Sequence, residues 1–94
     1  MSARRSTQVV YVVRSGPKIG QPDLQAAFRT KSDAVRFLER VHGLTVDESR
    51  KLARQSSLDL DRNWHGSDRC EIGAEIMDPE QAATALSGDL YLAA

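Results

Sequence analysis

The chain of 94 residues has one cysteine, Cys70, so no internal disulfide can form. Its stability must come from an apolar core, and a lone thiol suits a reducing compartment. Aromatic side chains are scarce: Tyr11, Phe28, Phe37, Trp64 and Tyr91. The core must therefore be built mostly of Val, Leu, Ile and Ala. Long apolar runs are missing as well. Arg4 and Arg5 give the N-terminus the look of an export signal, but the apolar run that follows spans only residues 9–13. A secretory signal needs about 7–15 apolar residues and a membrane helix about 18. These shortfalls predict a soluble, cytoplasmic protein without a membrane partner. No phosphate-binding loop, nucleophile triad or paired carboxylates stand out. Two histidines and one cysteine are too few for a zinc site. The expectation is a protein that is not an enzyme and carries no cofactor or metal.

What is present fits one globular domain over residues 1–94, with residues 1–7 as a flexible tail. Hydrophobic residues make up 40% and charged residues 28%, which argues against wholesale disorder. Net charge is zero but unevenly spread. Residues 1–54 hold eleven Lys and Arg against five Asp and Glu; residues 55–94 hold two against eight. Either the halves fold together and neutralise each other, or one of them faces a charged partner. Ten of the thirteen basic residues are Arg, which fits a GC-rich bacterial source. Their forked guanidiniums suit carboxylate and phosphate partners.

The local patterns predict an α+β fold in the order ββααβα, with a possible last strand at Leu90, Tyr91 and Leu92. Residues 8–14 are apolar on both faces, as in a central strand. Gly16, Pro17, Gly20 and Pro22 mark a loop, and 24–29 follows as an antiparallel partner. A helix over 31–42 starts at Thr30 to Ser32 and buries Ala34, Val35, Phe37, Leu38 and Val41. Gly43 ends it in the left-handed conformation. A second helix, 45–56, opens on the capping box of Thr45 and Glu48, with a thin apolar face of Val46, Leu52 and Ala53. Residues 57–68 read as a polar loop. Residues 69–77 alternate, with Cys70, Ile72, Ala74 and Ile76 on one face and Glu71, Gly73, Glu75 and Met77 on the other. Asp78 caps a third helix, 79–87, with Pro79 in its first turn. The expected architecture is an antiparallel sheet of three or four strands with helices on one face.

Several segments invite a chemical reading. Asp59, Asp61 and Asn63 have the spacing of the first calcium-loop ligands, but Trp64 stands where Gly is needed and Cys70 where a bidentate Glu is needed. Cys70 and His65 could form a nucleophile and base, yet Cys70 falls on an apolar strand face, where cysteine serves as a small hydrophobe. His42 suits the negative end of a helix. The two helices about Gly43 invite a helix-turn-helix reading, against which stand Glu39 and Ser49 where small and apolar residues belong. Arg36, Arg40, Arg50, Lys51 and Arg54 could still line a basic face for phosphates. The plainer reading is a solvated face with pairs such as Asp47 and Lys51. Trp64, beside Arg62, Asn63 and His65, is either an interface anchor or a lid on the core.

The expected function is a non-enzymatic protein-binding module, a small regulator or inhibitor that occludes a surface of a protein or nucleoprotein partner. Its expected site combines Asp59, Asp61, Arg62, Trp64 and His65 of a loop over 59–68 with Arg36, Arg40, Arg50 and Arg54. The alternative is a nucleic-acid-binding regulator using the basic helical pair 31–56. In size and in lacking an active site, the chain is similar to small phage or mobile-element inhibitors, anti-CRISPR proteins among them.

Overall fold

The structure, a computed structural model, describes residues 7–17, 24–63 and 66–89. Four strands are present: β1 (Gln8–Pro17), β2 (Leu24–Phe28), β3 (Ser57–Asn63) and β4 (Gly66–Met77). The helices are α1 (Lys31–His42), α2 (Val46–Gln55) and α3 (Pro79–Thr84), the last continuing into a π-helical turn, Ala85–Asp89. All strand pairs are antiparallel, in the order β2-β1-β4-β3. The domain is α+β, and β1 lies inside the sheet, as its two apolar faces require. The segment 90–94, with its proposed last strand, lies outside the described residues, as do residues 1–6 of the tail.

Residues 57–63, expected to be loop, form β3 instead. Leu58 and Leu60 alternate with Asp59 and Asp61, so the segment carries the period of a half-buried strand despite its acids. Leu58 and Leu60 pack into the main core while Asp59 takes the other face. The hairpin of β3 and β4 closes at Asn63↔Gly66, past a register shift after Leu60.

The helices also divide between the two faces of the sheet, which corrects the expectation of one covered face. On the first face, Val13, Cys70, Ile72 and Leu60 pack against Ala34, Val35 and Leu38 of α1 and Leu52 of α2. Phe28 and Phe37 add an aromatic pair with centroids 5.1 Å apart. On the second face, Val10 and Val12 pack against Ala82 of α3 and Ala85 of the π-turn. The reason is the double apolar face of β1: each side needs its own cover.

The caps follow the sequence closely. Thr30 Oγ1 accepts from the Asp33 N–H at 3.0 Å. Thr45 with Glu48, and Asp78 with Gln81, form reciprocal capping boxes. Gly43 ends α1 at φ 62°. Ser56 ends α2 at the same φ without being glycine. The inner face of α2 differs from expectation. Ser49 and Leu52 are buried, while Val46 is 67% exposed and Ala53 is also exposed.

Candidate interaction surface

Helices α1 and α2 form an antiparallel hairpin. The Lys31 Nζ ammonium donates to Ser56 Oγ at 2.8 Å, tying the start of α1 to the end of α2. Ala34, Val35 and Leu38 turn one side of α1 to the sheet, and Ser49 with Leu52 do so for α2. At 3.6 residues per turn, Arg36 and Arg40 then lie on the opposite side of α1, and Arg50 and Arg54 on that of α2. All four are exposed. Each pair is spaced i, i+4, so two like charges stand one turn apart on each helix. None of the four makes an ion pair among the described residues, and neither do Asp47 and Lys51, despite their spacing. Three of the four acidic groups of the two helices, Asp33, Asp47 and Glu48, lie in the first turns, where the caps and the helix dipoles favour them, and the fourth, Glu39, lies late in α1.

The structure brings these four arginines together but separates them from Asp59. That carboxylate lies on the far face of the sheet, with Oδ1 4.0 Å from Arg69 Nε, and Arg69 Nε donates to Glu71 Oε2 at 2.9 Å. The same face carries Arg14, whose Nη2 donates to Glu75 Oε2 at 3.2 Å. Arg14 and Glu75 come from the basic and acidic halves of the chain, so part of the charge asymmetry is neutralised across the sheet. The arginines on the helical hairpin are not part of that exchange. Asp61 and Arg62 belong to β3 rather than to a loop. Trp64 and His65 lie outside the described residues.

One buried polar contact had no signal in the sequence. Ser15 Oγ and His42 Nε2 share a hydrogen bond of 2.5 Å. A serine and a histidine at this distance hold the atoms of a nucleophile and its base. Ser15, however, is 3% exposed beneath α1, so a substrate has no route to it. The bond instead fastens the last residue of α1 to the strand. Cys70, register partner of Ser15, is fully buried. No group of three or more potential metal-ligating side chains occurs among the described residues, and Asp59 sits in an extended strand rather than a coordinating loop. No helix among the described residues is long and apolar enough to cross a membrane.

Neither a family model, nor a curated protein, nor a solved structure matches this chain.

Proposed function

We propose that the protein is a non-enzymatic binding module that works in the cytoplasm as a small regulator or inhibitor, occluding an acidic surface of a protein or nucleoprotein partner. The supporting observation is the set Arg36, Arg40, Arg50 and Arg54: exposed, without ion pairs among the described residues, and in like-charge i, i+4 pairs. Such pairs weaken a helix by a few tenths of a kcal/mol, roughly 0.2–0.5 each. The fold gains nothing from them that lysine–glutamate pairs would not give better. A partner rich in carboxylates gives them a use, since arginine binds such groups through two parallel hydrogen bonds. An aromatic anchor supplied by Trp64 belongs to the same proposal. An inhibitor encoded by a phage or mobile element, of the anti-CRISPR kind, is the form of such a module we favour.

The same guanidiniums suit phosphates, which keeps direct nucleic-acid binding as the second reading. A pull-down from host lysate, with and without nuclease, separates the two. A specific protein partner should survive nuclease and be lost when all four arginines are replaced by alanine. Capture that vanishes with nuclease supports the second reading; protein capture indifferent to the alanine variant sinks both.

A further inference from the structure

The geometry points to the outer edge of β4, from Gly73 to Met77, as a docking site for an extended segment of a partner protein in which apolar and basic residues alternate. The segment would add to the sheet as a further strand.

The pairing pattern supplies the first support. β1 pairs with β4 from Asp68 to its end at Met77, but β3 pairs with it only up to Glu71. The last bond on the β3 side runs from the Ile72 N–H to the Ser56 carbonyl, at 2.8 Å. Backbone groups of a strand point to alternate edges, so those of Ala74 and Ile76 aim outward like that of Ile72. No described residue bonds to them there.

Exposed edges are normally guarded by charge, proline, bulges or shortness. β2 is short, with five residues. The β3 edge has acids and a register shift. The stretch of β4 beyond β3 is as short as β2 but has no charge, proline or bulge on its first face. Ala74 is exposed, Ile76 is 73% exposed, and Val9, its register partner, is 44% exposed. This is the apolar face of β4 running out from under α1 and α2.

The second face fixes the partner's chemistry. There Glu75 and Met77, with Glu80, Gln81 and Thr84 of α3, line an open cleft of about 550 Å³ beside the same edge. Arg14 is the cation that answers Glu75. An incoming strand would lay apolar side chains over Ala74 and Ile76 and, at alternate positions, lysine or arginine toward Glu75. A second copy of the chain fits poorly. The antiparallel register that pairs the whole edge sets Glu75 opposite Glu75, and shifting it by two residues leaves a ladder of about three residues.

Amide hydrogen exchange by NMR on the full chain tests this, with a blocked seven-residue peptide of alternating valine and lysine as the probe and a valine–glutamate peptide as control. Saturating valine–lysine peptide should slow exchange of the Ala74 and Ile76 amides by at least about tenfold, and the control should not. Ile76→Pro removes the outward donor without touching the ladder to β1. Ile76→Lys keeps the backbone and sets a charge against the peptide's valines. Both should abolish the protection. Absent protection, equal protection by both peptides, or protection that persists in Ile76→Lys would overturn the proposal. Protection that grows with protein concentration alone would also overturn it, assigning the edge to a second copy.

Discussion

Ser15 and His42, 27 positions apart in sequence, meet through a 2.5 Å hydrogen bond that joins β1 to the last residue of α1. The two ends of this bond are not equivalent. Ser15 is buried, so losing its partner strands a hydroxyl in an apolar site, at a cost of about 1–3 kcal/mol. His42 is only half-buried and can turn toward water. His42→Ala should therefore destabilise the fold by about 1–3 kcal/mol, and Ser15→Ala by about 1 kcal/mol or less. Denaturant unfolding of both single variants and the double variant checks this. Additive losses would deny that the two side chains act as a pair.

Ser49 presents the opposite case. It is buried on the inner side of α2, and its Oγ has no hydrogen-bond partner among the described residues. Ser49→Ala removes an unsatisfied hydroxyl and improves helix propensity, so it should stabilise the protein by about 0.5–1 kcal/mol. Leu52, one turn along, is fully buried in the main core. Leu52→Ala should cost about 2–5 kcal/mol. Thermal melts of the two variants should move in opposite directions. A lower melting temperature for Ser49→Ala would show that the hydroxyl does useful work in the fold.

The same substitution at two glycines should also give opposite signs. Gly43 holds φ 62° at the end of α1, where a Cβ meets no atom but the left-handed backbone itself is strained. Gly43→Ala should cost about 1 kcal/mol. Gly73 lies inside β4 with ordinary strand geometry, and a Cβ there would sit 3.8 Å from Arg14 Nη1, an ordinary contact. Gly73→Ala should therefore gain about 0.4–1 kcal/mol by restricting the unfolded chain. A loss at Gly73 would mean that the Arg14 side chain needs that space to reach Glu75.

These contrasts show where the sequence was legible. Helix ends were, because Thr30, Thr45, Asp78 and Gly43 act through local backbone chemistry that the chain carries with it. β3 was not, because Asp59 and Asp61 disguised the alternation of Leu58 and Leu60 as a polar loop. The inner face of α2 was misjudged for a related reason. Val46 is more apolar than Ser49, but the sheet meets α2 along Ser49 and Leu52, and that contact depends on where β3 lies. The course of β3 also decides which residues the site can contain. A loop could have carried Asp59 to the arginines of α1 and α2, whereas the strand turns it to the opposite face. For the arginines of α1 and α2, helical period alone sets the side on which they lie exposed.

That arginine surface carries the last prediction. Arg36, Arg40, Arg50 and Arg54 make no ion pair among the described residues, so truncating them removes no favourable contact there and relieves two like-charge pairs. Replacing all four by alanine should leave stability within about 0.5 kcal/mol per site, with any shift toward greater stability, because alanine favours helix. Arg14→Ala differs: it removes the charge bound to Glu75 across the sheet and should cost stability, although by less than about 1 kcal/mol for so exposed a pair. The partner should sense the reverse order. Each hairpin arginine that meets a carboxylate should weaken binding by about 1–3 kcal/mol when removed, while Arg14→Ala leaves affinity unchanged. Salt then separates the partner classes. With a nucleic acid, affinity should fall by about 0.9 power of salt concentration for each phosphate met, and each lost arginine should flatten the slope by about one. With a protein partner the slope should be shallower and respond mainly through the association rate. Melting curves and binding isotherms of the same variants at two salt concentrations decide the matter. A quadruple variant that melts early, or binds as well as the wild type, would remove the arginine surface from any account of function.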